Sequence, residues 1–350
     1  MIDQPRFLFV TCQVHAEPAL KREVKQRHAG LRFAYSRPGF VTFKLADDCS
    51  FADDFDLDCT FARSHAFSLG KSVAESADQR VQEIWSLAGE RPLQRLQVWP
   101  RDLYSPGYKD FEPGLTEESR AAAALIWQQR PPHLSGLTDD FGPANPGEQV
   151  LDVVLVSERE WWVGVHQVHS RVSGWPGGML PDALPAEAVS RGYLKMHEAL
   201  LWSDLPLRPG QRCVEIGSSP GGSSQALLQR GVSVVGIDPA EMHPTLLDHP
   251  QFTHVRARAK EVKRSLFSGC DWLTVDINLP PKYTLDTVQG ILQAPGVRLK
   301  GVLMTLKLGD WELAKNIPEY LKRARSWGIG KVSARQLQHN RQEICVMLRR

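Results

Sequence analysis

The sequence predicts an α/β protein whose C-terminal half is a doubly wound, Rossmann-like sheet, preceded by an α+β region. The first observation is the stretch 212–239, where an apolar run, a glycine-rich turn, a helical pattern and a second apolar run follow in order. The second is that strand-like runs and helical patterns go on alternating up to the C-terminus. The third is a β-α-β-β order at the start of the chain, which is typical of a small, ferredoxin-like α+β unit.

Changes of pattern along the chain predict four parts. The 350 residues are 42% hydrophobic, which is enough for two or three ordinary domains. We expect a subdomain at 1–57, a second α/β module at 58–169, a linker at 170–189 and the doubly wound domain at 190–350. The linker is predicted from its Gly, Pro and Ser content, and the acidic loop 47–58 is the predicted exit from the subdomain.

The elements of the N-terminal half follow from apolar spacing and capping signals. Leu20 and Val24 lie four residues apart in a polar stretch, which predicts a helix. Thr116 is a suitable N-cap for another helix, and Pro131 predicts its end. The predicted helices are 17–28, 74–87 and 116–129, and the predicted strands are 7–12, 31–35, 39–45, 59–69, 93–99, 149–157 and 160–166.

In the C-terminal half, ionisable residues stand at the ends of apolar strands. Asp276 and Lys307 each end such a strand, and Glu343 comes just before the last one. Lys195 lies on the helix before the sheet. Each alone is more often a surface ion-pair partner, but ligands of such sheets gather at the carboxyl ends of strands. The predicted helices are 192–202, 285–292 and 311–327, and the predicted strands are 213–216, 232–237, 272–277, 302–308, 331–336 and 344–348.

Composition restricts the classes of function. The net charge is only +2, but residues 253–264 hold five Lys/Arg against one acid, and residues 312–350 hold nine against three. A basic C-terminal half is compatible with a polyanion-binding face, although charge runs are also common on solvated surfaces. Six cysteines without a CxxC pair predict reduced thiols and no metal framework. We expect a cytoplasmic protein without a signal peptide or membrane span.

The turn 217–222 predicts a nucleoside ligand. Its first and sixth positions are glycines, but Ser219 occupies the third position, where a dinucleotide fingerprint needs glycine for close approach to a pyrophosphate. Pro220 also removes one N–H donor from the turn. Asp238, at the end of the following strand, can accept hydrogen bonds from ribose hydroxyls. The turn favours S-adenosylmethionine (SAM), and by itself it is also compatible with a plain βα connection.

These residues resemble a known family. The order Lys195, Asp276, Lys307, Glu343 is similar to the Lys-Asp-Lys-Glu tetrad of FtsJ/RrmJ-type ribose 2′-O-methyltransferases. The turn resembles the family's G-x-x-P-G-G motif. Three further segments resemble a branch of the family that modifies 23S rRNA: S-R-x-x-L-K at 190–195, A-R-Q-L-x-H-x-R-x-E at 334–343 and, more weakly, the start of a THUMP-type RNA-binding domain at 61–63.

The resemblance implies a C-terminal Rossmann-like SAM methyltransferase domain and an N-terminal ferredoxin-like plus THUMP-type region that binds RNA. It implies that the substrate is large-subunit rRNA. It implies catalysis by the tetrad without a metal. It implies SAM binding by Glu215, Gly217, Ser218, Ser219, Pro220, Gly221, Gly222, Asp238 and Asp276. It also implies RNA contacts by Arg191, Arg335, His339 and Arg341.

The implied chemistry is general-base catalysis by Lys307. A ribose hydroxyl must lose its proton as it attacks a methyl carbon, and only a neutral amine can take that proton. We expect Lys195 and desolvation to lower the pKa of Lys307, with Asp276 and Glu343 orienting its amine. The family's adenine-contacting acid has no counterpart at 254–258. A non-catalytic RNA-binding or ribosome-assembly protein therefore remains an alternative, as does a SAM enzyme acting on a small molecule.

Overall fold

The computed structural model describes residues 5–47, 51–52, 55–138 and 141–350. The chain divides into two compact units, Met1–Pro181 and Asp182–Arg350. The predicted boundaries of four parts stay a prediction. Part of the predicted acidic exit loop, residues 48–50 and 53–54, lies outside the described residues.

The N-terminal unit is built on one seven-stranded sheet with the order β2-β3-β1-β4-β7-β6-β5. Because β1 pairs with β4, the predicted boundary at 57/58 falls between strands of the same sheet. Among the described strands of this sheet, β5 and β6 pair in parallel and the other neighbours are antiparallel. The elements are β1 (Phe7–Thr11), α1 (Glu17–Arg27), β2 (Leu31–Arg37), β3 (Phe40–Leu45), β4 (Ser64–Ser72), α2 (Ala77–Ala88), β5 (Arg95–Pro100), α3 (Glu117–Gln128), β6 (Gln149–Ser157) and β7 (Glu160–Gln167).

Local signals set the ends of these elements well. The predicted N-cap of α3 is confirmed: the Thr116 hydroxyl accepts a hydrogen bond from the Ser119 N–H, and the Ser119 hydroxyl oxygen accepts one from the Thr116 N–H. Side chains of α2 and α3 pack against the sheet in a core that includes Ile84, Ile126 and Leu151. Such a two-layer arrangement buries the apolar stripe of each helix.

The first half of the predicted linker is packed rather than solvated, which corrects the expectation of a tether over 170–189. Val172, Trp175 and Met179 are each less than 5% exposed. The Gln97 side-chain amide donates to the Gly174 carbonyl oxygen at 2.7 Å. Gly and Pro content indicated the irregular backbone correctly, but the apolar residues between them bury against the N-terminal unit.

The C-terminal unit is a second seven-stranded sheet, with the order β10-β9-β8-β11-β12-β14-β13. Its strands are parallel except at β14, which is antiparallel to both neighbours, and the predicted doubly wound sheet is confirmed. The elements are α4 (Gly192–Ser203), β8 (Arg212–Ile216), α5 (Gly222–Leu228), β9 (Ser233–Ile237), α6 (Pro244–Leu247), β10 (Phe252–Val255), β11 (Trp272–Val275), α7 (Pro281–Leu292), β12 (Gly301–Lys307), α8 (Ile317–Arg325), β13 (Lys331–Arg335) and β14 (Glu343–Arg349).

Two features of this unit differ from the sequence prediction. The predicted helix 311–327 is a 3-10 helix at Trp311–Asn316 followed by α8, with Pro318 in the first turn of α8. Proline is tolerated there because the first N–H groups of a helix have no partner within it. The elements α6 and β10 are short and have little periodicity of their own, so the pattern did not predict them.

The described cysteines are all free and buried, and Cys49 lies outside the described residues. Among the residues that the structure describes, each helix is too short or too polar to cross a membrane.

Candidate active site

The four predicted catalytic residues meet at the carboxyl edge of the C-terminal sheet. Lys307 is the last residue of β12, and Glu343, the first residue of antiparallel β14, is its partner in the register. Asp276 directly follows β11, the other neighbour of β12. Lys195 approaches this edge from α4. The antiparallel direction of β14 is what brings a residue near the C-terminus to the tips of the parallel strands.

The side chains form a closed ring of alternating charges. Lys195 Nζ lies 2.6 Å from Asp276 Oδ2 and 2.5 Å from Glu343 Oε1. Lys307 Nζ lies 2.9 Å from Asp276 Oδ1 and also contacts Glu343 Oε2. Each lysine therefore touches both carboxylates, and each carboxylate touches both lysines. Such a ring holds the Lys307 amine in one position, whereas the amine of an unpaired lysine moves with its flexible side chain.

The ring also controls protonation. Burial opposes ionisation of Asp276, but Lys195 and Lys307 lower its pKa below the usual value. Burial also disfavours the charged form of Lys307, yet Asp276 and Glu343 outweigh it and raise the pKa of Lys307. The expectation of a lowered pKa is therefore wrong: desolvation does lower it, as expected, but the two carboxylates that contact the amine outweigh desolvation.

Two residues that sequence reasoning missed support the ring. Asn340 is fully buried, and its side-chain amide donates to Glu343 Oε1 at 3.3 Å. Glu198 is 1% exposed and accepts the N–H groups of Gln338 and His339 at 2.8 and 3.0 Å. Glu198 lies three residues after Lys195, on the same face of α4. The three-residue spacing from Lys195 could have indicated that Glu198 lies near the site. Only the fold shows that Glu198 holds the loop at Gln338 and His339.

The glycine turn lies against the ring. Gly217 follows β8 with a φ of +83°, and a Cβ at this position would overlap the carbonyl oxygen of Asp276. Gly221 has a φ of +122°, and a Cβ at Gly222 would overlap the Ser190 hydroxyl. The turn therefore needs glycine both for its backbone conformation and for the close approach of β11 and α4.

The other side chains of the turn are occupied by local contacts. The Ser218 hydroxyl is buried against the Met242 sulfur at 3.6 Å, and the Ser219 hydroxyl donates to the Glu241 carbonyl oxygen at 2.7 Å. The Pro220 carbonyl oxygen accepts the His243 N–H at 3.0 Å. These contacts leave the backbone of the turn, rather than its hydroxyls, as the surface that a ligand would approach.

Two carboxyl groups flank the turn. Asp238, after β9, accepts the N–H groups of Ser219 and Ala240 at 3.1 and 2.8 Å. Glu215, in β8, is 1% exposed, and its Oε2 accepts the Ser224 hydroxyl while Oε1 has no hydrogen-bond partner. Burial raises the pKa of Glu215 to about 8, although the Ser224 hydroxyl opposes this shift.

A cavity connects the ring with this carboxyl group. Its lining includes Lys195, Glu215, Ser223 and Asp276. A buried carboxyl oxygen without a partner suits a cationic amino group, and Asp238 oxygens retain lone pairs for ribose hydroxyls. These residues fit a ligand that carries an amino acid at one end and a ribose at the other, as SAM does.

The residues predicted to contact RNA lie on the segments that lead into the ring. Arg191 is the N-cap of α4 and is exposed, and Arg341 is exposed two residues before Glu343. His339 is half-buried, and burial, followed by Arg191 and His197, lowers its pKa to about 4. Arg335 ends the edge strand β13 and is half-buried. Their contacts with RNA stay a prediction.

No group of three or more His, Cys, Asp or Glu side chains among the described residues is placed to hold a metal ion. The ionisable groups described above, those of the ring, Glu215 and Asp238, can hold and transfer a proton.

A largely parallel sheet with a glycine turn after one strand, a carboxylate after the next and a lysine at a strand tip is typical of SAM-dependent methyltransferases. The model of the FtsJ-like methyltransferase family matches residues 188–319. A ribosomal RNA large subunit methyltransferase M of Cellvibrio japonicus is 31% identical over 258 residues, which cover 67% of this chain and 69% of that protein. The chain belongs to the ribosomal RNA large subunit methyltransferase M family.

Further relatives with the same name align over different shares of their length. The protein of Halorhodospira halophila is 32% identical over 51% of this chain and 52% of its own length, so this match spans about half of that relative. The protein of Methylococcus capsulatus is 26% identical over 81% of this chain and 78% of its own. Among solved structures, TrmN from Thermus thermophilus aligns over 98% of this chain and 99% of its own at 15% identity, with a TM-score of 0.36, a likeness too distant to assign residue roles.

Replacing Gly217 with alanine is expected to weaken SAM binding by about tenfold. The added Cβ must displace the Asp276 carbonyl, and a φ of +83° costs an L-residue roughly 1–2 kcal/mol. Gly210→Ala is a matched control, because Gly210 also has a φ of +83° but has open space around a Cβ. Titration calorimetry with SAM measures the difference. Equal affinity in the two variants would show that the close approach at Gly217 does not shape the cofactor site.

Proposed function

We propose that this protein transfers a methyl group from SAM to a ribose 2′-hydroxyl of large-subunit ribosomal RNA, with Lys307 as the general base. The observation that supports this most directly is the closed ring of Lys195, Asp276, Lys307 and Glu343 beside the glycine turn. The ring holds one amine at a strand tip, where ligands of such sheets bind.

The proposed step is a single displacement. Bound SAM supplies an electrophilic methyl group on a sulfonium sulfur. Lys307 Nζ takes the proton of the 2′-hydroxyl as its oxygen forms the new bond to the methyl carbon, and the sulfur keeps the electron pair of the bond that breaks. Asp276 and Glu343 hold the amine, and Lys195 balances their charge. The rest of the catalysis is the in-line placement of hydroxyl and methyl group.

Lys307 must lose a proton before it can act. Its raised pKa means that the amine is charged at neutral pH, because the two carboxylates stabilise the cation. At pH values below that pKa, the neutral fraction grows about tenfold for each unit by which the pH rises, so the rate of methyl transfer should rise with pH over the alkaline range. The Lys307 side chain is 25% exposed, which lets the released proton reach solvent.

The remaining parts of the chain would bind the RNA. We assign the N-terminal ferredoxin-like part, 1–57, and the THUMP-type part, 58–169, to a distal region of the substrate. Arg191, Arg335, His339 and Arg341 would contact the RNA backbone near the reacting ribose, because they lie on the segments that lead into the ring. Glu215, Asp238 and the backbone of residues 217–222 would hold SAM.

The test is methyl transfer to ribosomal RNA in vitro. Protein and SAM with a radioactive methyl group are incubated with large-subunit rRNA from cells that lack the gene, and ribose methylation is mapped by resistance to alkaline hydrolysis. We expect one new protected ribose, absent with rRNA from cells that carry the gene. SAM binding without any methylation would favour the non-catalytic alternative, and methylation of a base would refute the 2′-hydroxyl assignment.

A further inference from the structure

A pocket of about 340 Å³ opens on one face of the N-terminal sheet, and its volume lies in the range of small-molecule pockets, about 300–1,000 Å³. Three aromatic rings line it, those of Phe7, Tyr35 and Trp162. Phe7 and Tyr35 are 38% and 43% exposed. Large exposed rings around a concave surface are typical of a binding site rather than of a packed core.

A β-bulge turns Tyr35 toward this pocket. The register between β2 and β3 shifts between Phe33 and Tyr35, so Phe33 is opposite Phe43 while Tyr35 is opposite Thr42. Successive residues of β3 point to opposite faces of the sheet, and paired residues share a face. Phe33 and Tyr35 therefore lie on opposite faces, although they are two residues apart. Without the bulge, Tyr35 would follow Phe33 onto the face that carries α1, whose Lys21 lies 4.2 Å from the Phe33 ring.

The pocket carries a net positive charge. The Glu160 side chain is 11% exposed, and it contacts Arg37 at 2.6 Å and Lys71 at 3.2 Å. It also accepts the Trp162 indole N–H at 3.0 Å. Burial opposes ionisation of Glu160, but Trp162, Lys71 and Arg37 lower its pKa, so the carboxylate stays charged. One carboxylate thus faces two cations.

Both cations lie beside aromatic rings. Lys71 Nζ is 5.9 Å from the centre of the Trp162 ring, and the Arg37 guanidinium is 5.8 Å from the centre of the Tyr35 ring. Lys44 pairs with Phe7 in the register and adds a third cation on the same face. Aromatic faces next to cations are the combination that stacks unpaired bases and holds their phosphates.

We infer that this pocket binds one unpaired nucleotide of an RNA, with the base against Tyr35 and Trp162 and the phosphate near Arg37 and Lys71. Aromatic rings also bind quaternary ammonium groups. The excess of cations over Glu160 disfavours such a ligand and favours an anionic one. The inference relies on the proposed function only for the class of substrate, an RNA.

The test measures, by fluorescence anisotropy, how tightly the full-length protein binds a short single-stranded oligoribonucleotide of mixed sequence. Tyr35→Ala should weaken binding at least roughly fivefold, the low end of one stacked base. Tyr35→Phe keeps the ring and should retain affinity. Phe33→Ala is the matched control, because it removes an exposed ring of the same strand from the opposite face. Lys71→Gln should lower the slope of log affinity against log salt by about 0.7, the contribution of one phosphate contact on a single strand.

Crosslinking supplies a second measurement that does not depend on a variant. With thiouridine in the oligonucleotide, crosslinked peptides should contain Tyr35 or Trp162. Crosslinks confined to other peptides, equal binding by folded Tyr35→Ala and wild-type protein, or no binding by the wild-type protein would each overturn the inference. If the wild-type protein binds the oligonucleotide in a Tyr35-dependent way but transfers no methyl group to ribosomal RNA, the result would count against the proposed function alone.

Discussion

Replacing Lys307 with alanine is expected to lower the rate of methyl transfer by about 10²–10⁴-fold, the usual contribution of a general base. SAM affinity should change little, because the turn 217–222, Glu215 and Asp238 remain in place. Lys307→Arg should be nearly as inactive, since a guanidinium stays charged and cannot accept a proton. Single-turnover kinetics with ribosomal RNA measure the chemical step, and calorimetry measures SAM binding.

Lys300 offers a matched control for this prediction. It precedes β12, at the end of the strand opposite to Lys307, and its Nζ lies 2.7 Å from Asp271. Lys300→Ala thus removes a lysine and an ion pair from the other end of β12 without touching the ring. We expect it to retain methyl transfer. Turnover by Lys307→Ala within a factor of ten of that of Lys300→Ala would remove Lys307 from the mechanism.

Replacing Asp276 with asparagine is expected to slow methyl transfer by roughly 10- to 100-fold and to change its pH dependence. The carboxylate contacts both lysines, so its loss leaves the Lys307 amine less well held, and small misplacements of a catalytic group are costly. Asp276 also raises the pKa of Lys307. Its removal lowers that pKa, so the alkaline rise of the rate should begin at lower pH than in the wild-type protein.

Asp271→Asn is the control for this second prediction. Asp271 precedes β11, as Asp276 follows it, and the two side chains are 24% and 25% exposed. Asp271 accepts the Arg212 N–H and pairs with Lys300, away from the ring. Its amide variant should leave the pH–rate profile unchanged. A profile of Asp276→Asn that is unshifted, or shifted to higher pH, would contradict the assigned coupling between Asp276 and Lys307.

Most of the C-terminal sheet was predictable because its signals are local. Apolar runs set β8, β9, β11 and β12, and the glycines mark the turn after β8. The position of Asp276 and Lys307 at strand ends then follows from the rule that carboxyl ends of parallel strands share an edge. The short elements α6 and β10 were missed because few residues carry each pattern.

Other features depend on segments far apart in the chain. The packing of 172–180 was not predictable from Gly and Pro content, because burial depends on which surface the segment meets. The support of Glu343 by Asn340, and of the loop before it by Glu198, required the fold. The orientation of Tyr35 depends on one extra residue in β2, which no periodicity revealed.

The sequence by itself determined the class of fold, the glycine turn and the identity of the four ring residues, because each is encoded within a few neighbouring positions. Only the tertiary structure decided how those residues meet and in which protonation state. Lys307 is charged at neutral pH because Asp276 and Glu343 both contact its amine, against the effect of burial. That balance of desolvation and Coulomb attraction depends on distances between groups brought together from separate strands, and spacing along the chain does not contain it.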